Sequence, residues 1–220
     1  MNEKPSMAAA PAESLKAAVR QRKRLSKEAR SEEVRKTIFA AAVEVVGELG
    51  YADASISRIT DLAGIAQGTF YLYFESRQAL FDELLPTVGQ EMLLYLRQAV
   101  VGAKDVFDVE ELAFRAMFAF LEKRPGFRRI LGEAEFAAPI AHERHYKVLC
   151  ERYVASLERA VASGHIRHFS HDELETVANM LIAARAQLLQ DARRKIRKGE
   201  AVNQEKIIGT YMKLVREGLR

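Results

Sequence analysis

Apolar residues along this chain return every three or four positions, and no segment bounded by turn signals alternates with a period of two. That spacing places them on one face of a helix, whereas a half-buried strand needs strict alternation. Val34, Ile38, Ala41 or Ala42, Val45 and Leu49 trace such a face over 31–49, and Gly50 supplies the stop. Two short helices follow over 57–63 and 67–74, joined by Gly64-Ile65-Ala66. A longer one over 76–101 contains Pro86, where a kink is expected. Asp108 with Glu111 reads as a capping box for a helix over 109–123, closed by Pro125 and Gly126. Further helices are expected over 127–136, over 139–162 ending at Gly164, over 171–196 behind a Ser170–Glu173 capping box, and over 201–217. The expected fold is therefore all-α, with about nine helices and no internal repeat.

Charge changes this picture at one end only. Residues 16–30 hold seven basic side chains against Glu28, while residues 31–220 hold 26 basic and 27 acidic, so the formal +4 of the whole chain resides in an N-terminal arm. The lead, MNEKPSMAAAPAESL, reads as disordered, and residues 1–30 form a disordered or partly helical basic segment in which the first helix could extend back to Ser26. An arm of this kind suits a polyanion, although a solvated tail has the same composition. No stretch approaches 18 uncharged apolar residues, and the N-terminus lacks a signal-peptide core, so neither a membrane span nor a membrane partner is expected. The single cysteine, Cys150, excludes an internal disulfide and fits a cytoplasmic protein.

Residues 55–77, SISRITDLAGIAQGTFYLYFESR, carry the most specific chemistry. Ile56, Ile59, Leu62, Ile65, Phe70 and Phe74 can anchor a miniature core against the 31–49 helix, and Ser55 can cap the first short helix. The second presents Gln67, Thr69, Tyr71 and Tyr73. This is a helix-turn-helix arrangement, in which Gln can pair with adenine, Thr can bond or meet a thymine methyl, and Tyr can reach phosphate. A generic helical hairpin shares the periodicity. Tyr71 could be half buried, and Thr60 could pack internally or touch phosphate. Arg58 and Arg77 balance Asp61 and Glu75, so attraction to a duplex falls to the arm, with Arg20, Arg22, Lys23 and Arg24 at its centre.

The run from Arg35 to Leu80 resembles the DNA-binding domain of TetR-family transcriptional regulators. The resemblance rests on the 38–50 helix pattern, Ile59-Thr60, Ala63-Gly64-Ile65, Gly68-Thr69-Phe70-Tyr71, Tyr73-Phe74, Ser76-Arg77 and Leu80. It implies a three-helix DNA-binding domain over 31–77 and a helical effector-binding and dimerisation domain over 78–220. It also implies a recognition helix at 67–73, with base contacts at Gln67 and Thr69, and contacts to phosphates or base edges at Tyr71 and Tyr73. Arg77 stands where the family usually has a phosphate-binding lysine. Thr60 replaces a small alanine, and Ala66 replaces a capping serine, leaving helix-end amides to water or phosphate.

The same resemblance implies a homodimer built on the last two long helices, a palindromic double-stranded DNA operator, and release by a small effector. Val177, Leu181, Ala184, Leu188 and Ala192 form one stripe there, and Ile207, Ile208, Tyr211, Leu214 and Val215 another; intrachain packing would produce both. Phe118, Phe127, Phe136, His142 and Tyr146 are candidate pocket residues. Arg185, set inside MLIAARAQLL, needs a partner: Glu133, Glu135, a partner-chain carboxylate, or the anionic end of a ligand. A weak similarity to sensors of acyl thioesters or lipophilic carboxylates points the same way. His142, His145 and Cys150 do not share one tight metal face, and no cofactor is expected. No nucleophile triad, phosphate loop or carboxylate pair specifies an enzyme. A non-sensing architectural DNA binder is the alternative, with a helical enzyme behind it.

Overall fold

The computed structural model describes the backbone of residues 10–219 and the side chains of residues 27–219. Among these, nine α-helices and one 3-10 turn occur, with no strand. They are α1 (Ala10–Leu49), α2 (Ile56–Ala63), α3 (Gln67–Phe70), α4 (Arg77–Ala99), α5 (Val106–Lys123), α6 (Pro125–Ala137), α7 (Pro139–Ala162), the turn His171–Glu173, α8 (Leu174–Arg197) and α9 (Gln204–Leu219).

Helix α1 starts about twenty residues before the expected 31, so residues 10–30 are helical. Its early part is rich in Ala, Glu, Lys and Arg, all good helix formers, and Pro11 falls in the first turn, where a missing N–H costs nothing. Residues 1–9, and with them most of the expected disordered lead, lie outside the described residues, as do the side chains of Arg20, Arg22, Lys23 and Arg24. At the other end Gly50 adopts φ 85° and donates to the Val46 carbonyl at 2.8 Å, closing the helix as its sequence predicts.

Other boundaries shift for local reasons. Asp105, rather than Asp108, caps α5: the Asp108 amide donates to its carboxylate at 2.8 Å, and the Asp108 carboxylate accepts from the Lys104 amide at 3.2 Å. Starting the helix at Val106 lets Phe107 reach the core. Glu111, freed of capping, binds Arg115 one turn later. Pro125 occupies the first turn of α6, opening that helix instead of merely closing the previous one. Pro86 lies inside α4 without ending it. The Ser170–Glu173 capping box forms as expected, in front of a 3-10 turn that leads into α8.

One continuous core runs from Ile38 on α1 to Leu219 on α9. Leu80, Leu84 and Leu85 of α4 are fully buried in it, each stabilising the fold by about 1.5–3 kcal/mol. Helix α1 meets α6 at a glycine contact: a Cβ on Gly47 would come within 2.6 Å of the Gly126 Cα. Beside it, Glu133 of α6 accepts from Arg129 Nε at 2.7 Å and from the Tyr51 amide at 3.0 Å, while Arg129 also donates to the Glu48 carbonyl. These bonds fasten α6 to the C-terminal end of α1. Helix α4 leaves the short-helix unit and enters the body, so both units bear on it.

Candidate nucleic-acid interface and ligand cavity

The short-helix unit is held by its own caps. Ser55 accepts from the Arg58 amide at 3.2 Å and starts α2. Gly64, at φ 66°, ends α2 with its amide on the Asp61 carbonyl, and the Ile65 amide returns to Thr60 at 3.1 Å. Thr60 itself is buried, and its hydroxyl donates to the Ile56 or Ser57 carbonyl at 3.0 Å, so it packs internally. Helix α3 is shorter than the expected 67–74, spanning Gln67–Phe70 before turns carry the chain to Phe74. Phe70 and Phe74 are buried and fix its inner side.

The outer side carries Gln67 and Tyr71, both exposed, with Thr69 and Tyr73 at intermediate depth. Tyr71 is 56% exposed, which removes the half-buried alternative. Leu72, not singled out from sequence, is 81% exposed beside it. Ala66 makes no side-chain cap bond, leaving the first amides of α3 uncapped. Arg77 is engaged within the chain: Nη1 donates to the Ala52 and Ala54 carbonyls at 3.3 and 3.4 Å, and the guanidinium lies over Phe81. Ser55 is likewise occupied as a cap.

The body encloses a cavity of about 550 Å³ between α4, α5, α6, α7 and α8. Met92, Met117, Leu121, Phe127, Leu131, Leu149, Ile182 and Leu189 give it an apolar wall; Arg128, His145, Arg185 and Arg193 add polar groups. Four buried side-chain polar atoms among the described residues have no hydrogen-bond partner, and three of them, Arg128 Nε, His145 Nε2 and Arg185 Nε, belong to residues lining this cavity. Such atoms each cost free energy unless something satisfies them. Burial, and secondarily the charge of His142, holds the His145 imidazole down at about 4. It is therefore neutral near pH 7.

His145 also touches the connecting helix. Gly89 of α4 faces its ring so closely that a Cβ there would lie 2.5 Å from Cε1. Only glycine leaves room for the imidazole between α7 and α4.

Arg185 finds its carboxylate on α5, not at Glu133 or Glu135. Its Nε lies 3.4 Å from Glu110 Oε1, without the angle of a hydrogen bond, and its guanidinium sits 4.9 Å from the centre of the Tyr153 ring. The hydroxyls of Tyr153 and Tyr211 both donate to Glu110. Burial opposes the Arg185 charge, but Glu110 and the two tyrosines more than compensate and raise its pKa; burial pushes both tyrosines up. This buried cluster joins α5, α7, α8 and α9. Glu133 is unavailable to Arg185 because it is committed to Arg129 and Tyr51.

A second, open groove of about 940 Å³ runs along α7 and the start of α8. Its charged lining includes Glu143, Glu151, Glu158, Asp172 and Glu175. His142 and Tyr146 border both groove and cavity, stacked with ring centres 6.2 Å apart. Among the described residues no group of three His, Cys, Asp or Glu side chains could hold a metal ion, and no helix is long and apolar enough to cross a membrane.

Residues 38–84, the helix-turn-helix unit and the start of α4, match the family model for bacterial regulatory proteins of the tetR family. This segment is of the TetR type. Among curated relatives, the HTH-type transcriptional regulator YvdT of Bacillus subtilis is 37% identical over 86 residues, covering 39% of this chain and 44% of YvdT. YdgC of the same organism is 29% identical over 154 residues, covering 68% of this chain and 76% of YdgC. The match to YvdT thus spans less than half of that relative, while the fold likeness extends further. The crystal structure of the transcriptional regulator FadR from Bacillus subtilis in complex with stearoyl-CoA superposes with a TM-score of 0.71 at 17% identity, covering 84% of this chain and 100% of that one.

Within this chain, the residues expected to read DNA and those expected to hold a ligand separate cleanly. Gln67, Thr69, Tyr71 and Tyr73 gather on α3 and the turn after it. Of the ligand candidates, Phe127, His142, Tyr146 and Arg185 line the cavity. Phe118 is buried in the core without lining it, and Phe136, 87% exposed near the end of α6, does not line it either. Sequence reasoning passed over Arg128, Arg193 and Gly89, and weighed His145 only beside His142 and Cys150 as a metal ligand.

Proposed function

We propose that this chain is a ligand-responsive transcriptional regulator that binds a palindromic operator as a homodimer, represses, and is released when an amphipathic effector fills the cavity. The observation that carries the reading is the cavity itself: an apolar chamber lined by Arg128 and His145, each with a buried nitrogen lacking a hydrogen-bond partner, and set against α4, which begins at the DNA-reading unit. It weighs against a non-sensing architectural binder, which has no use for such a chamber. Stearoyl-CoA in the FadR structure supports an acyl thioester or lipophilic carboxylate as the effector class.

On this reading Gln67 and Thr69 address base edges, Tyr71 and Tyr73 address phosphates or base edges, and the basic arm around Arg20, Arg22, Lys23 and Arg24 supplies attraction to the duplex. The two subunits hold their α3 units about 34–36 Å apart, one helical turn of the operator. An effector in the cavity touches His145, which abuts α4 at Gly89. A displaced α4 changes the spacing of the reading units, and operator and effector then weaken each other reciprocally. Ser55 and Arg77 act in support, by holding the turns that present α3.

The test is DNA selection with the purified full chain, followed by fluorescence anisotropy on the selected duplex with palmitoyl-CoA added. A palindromic site released by at least tenfold is the expected result. Selection of a site whose affinity no amphiphile alters would leave a DNA binder without a sensor.

A further inference from the structure

The charges lining the cavity do not balance. Of its five arginines, Arg185 faces Glu110 and Arg194 is paired with Asp191. Among the described residues Arg128, Arg193 and Arg197 have no ion-pair partner, and the single acidic liner, Glu135, bridges to none of them. Arg128 makes one long bond, 3.5 Å to the Leu121 carbonyl, and its Nε is buried with no partner at all. Burial, and after it the charge of Arg193, depress the Arg128 guanidinium. Two like charges from α6 and α8 therefore line one cavity, partly out of water and without an ion-pair partner. That arrangement costs free energy as it stands and becomes favourable only with an anion in place.

The geometry of guanidinium groups narrows the anion. Each is a planar fork suited to two parallel hydrogen bonds, and two forks lining one cavity match a group with three or more acceptor oxygens. A carboxylate carries one charge on two oxygens and leaves the second arginine unmatched. We propose that Arg128 and Arg193, with Arg197 beside them, form a phosphate site at the cavity, and that the effector is an amphiphile whose head is a phosphate or diphosphate and whose tail occupies the wall around Met117, Leu121 and Phe127. This rests on the ligand-responsive reading above and assigns the chemistry of one end of its ligand.

The test compares four probes on the full-length chain by displacement of the neutral dye Nile red and by calorimetry: palmitoyl-CoA, 1-palmitoyl lysophosphatidate, palmitate, and coenzyme A without an acyl chain. The first two are expected to bind at least tenfold more tightly than the last two, and whichever of the first two binds better names the source of the phosphate. Arg128→Gln and Arg193→Gln should each weaken the phosphate amphiphiles about tenfold or more, the size of one lost charge-assisted bond, and move palmitate by less than twofold. Arg128→Lys and Arg193→Lys, which keep the charge but lose the fork, should fall between and guard against loss of fold. Equal affinity for palmitate and palmitoyl-CoA, or equal losses for all probes, overturns the phosphate site. So does weakened dimerisation in sedimentation with unchanged ligand affinity, which would give these arginines to the subunit interface. If palmitate still releases the operator in either case, the sensing reading stands alone; if neither dye nor any amphiphile enters, both fall.

Discussion

Replacing Gly89 by alanine sets a methyl group against the imidazole of His145. Two effects compete. Alanine is a better helix former than glycine by about 1 kcal/mol, which favours the variant in the middle of α4. Against it, the new Cβ would lie 2.5 Å from His145 Cε1 and nearer still to Nδ1, inside any real contact distance. The ring is buried at 6% exposure and cannot rotate into water without dragging α7, so the clash is relieved by shifting α4, α7 or both. Overpacking of this kind costs about 1–3 kcal/mol, and the ring's position at the centre of the clash argues for the upper half. The expected net is a destabilisation of about 1–2 kcal/mol. The decisive comparison is the same substitution in a His145→Ala background, where the ring is gone and propensity alone remains; there Gly89→Ala should stabilise by about 1 kcal/mol. The change of sign gives a coupling energy of about 2–3 kcal/mol, at the high end for residues in contact. Urea unfolding of the four proteins followed by circular dichroism measures it. Equal effects of Gly89→Ala in both backgrounds would refute the argument that His145 is wedged against α4, and with it the proposed route from the cavity to the reading unit.

Four further outcomes follow from the same geometry. His145, held at about 4 when folded against an ordinary 6.5, lets the unfolded chain bind the extra proton, so stability is full above pH 6.5 and falls as pH drops toward 4, by about 3 kcal/mol; His145→Gln should flatten that part of the urea-midpoint-against-pH curve, and an unchanged curve would count against a buried neutral ring. Arg185→Met strands the Glu110 carboxylate and should cost about 3–5 kcal/mol, most of it recovered in the Arg185→Met, Glu110→Gln double variant; a double variant no better than the single would show that the pair is not the cause. Gly47→Ala drives a methyl group into the backbone of Gly126, which has no side chain to move, so a loss of about 1–3 kcal/mol is expected, whereas Gly132→Ala on the open side of α6 should be neutral or stabilising. Gln67→Ala should relax base preference at one operator position by about 1–3 kcal/mol while Tyr71→Phe weakens all sequences alike; a uniform loss for Gln67→Ala would take it off the base edges.

What the residue pattern revealed, and what it concealed, divides along the range of the interactions. The helices were legible because each is specified by neighbours three or four positions apart, and the caps at Gly50, Ser55, Gly64 and Ser170 because each is a local bond. Errors appeared where two local signals compete: Asp105 and Asp108 both precede the same apolar run, and only the depth of Phe107 decides between them. The start of α1 was read only as a partly helical arm because the Pro- and Ala-containing lead was weighed as a sign of disorder, while its alanines and the lysines and arginines after them are good helix formers. The exposed face of the helix-turn-helix unit was visible for a related reason. Its anchors Phe70 and Phe74, and its exposed Gln67 and Tyr71, lie within eight residues of one another.

The cavity was only half legible, because its chemistry depends on pairing across helices. Glu110 sits in the run VEEL, which reads as a solvated first turn, yet it accepts from two tyrosines and faces a buried arginine 75 positions away. Once it takes Arg185, and once Glu133 is spent on α1, neither remains for Arg128 or Arg193, and Glu135 on the cavity wall bridges to no arginine. The surplus positive charge in the cavity is therefore a consequence of where the acids went. A chain whose body is nearly neutral in total can still concentrate unmatched charge at one place, and a ligand responds to that local imbalance, not to the total. Moving the acid should move the ligand. Gln190→Glu, on the cavity wall one turn before Arg193 on α8, places a carboxylate within reach of the arginines. It should therefore reduce affinity for palmitoyl-CoA by about tenfold while leaving Nile red uptake intact. An unaltered affinity in calorimetry would mean that the anion is held elsewhere.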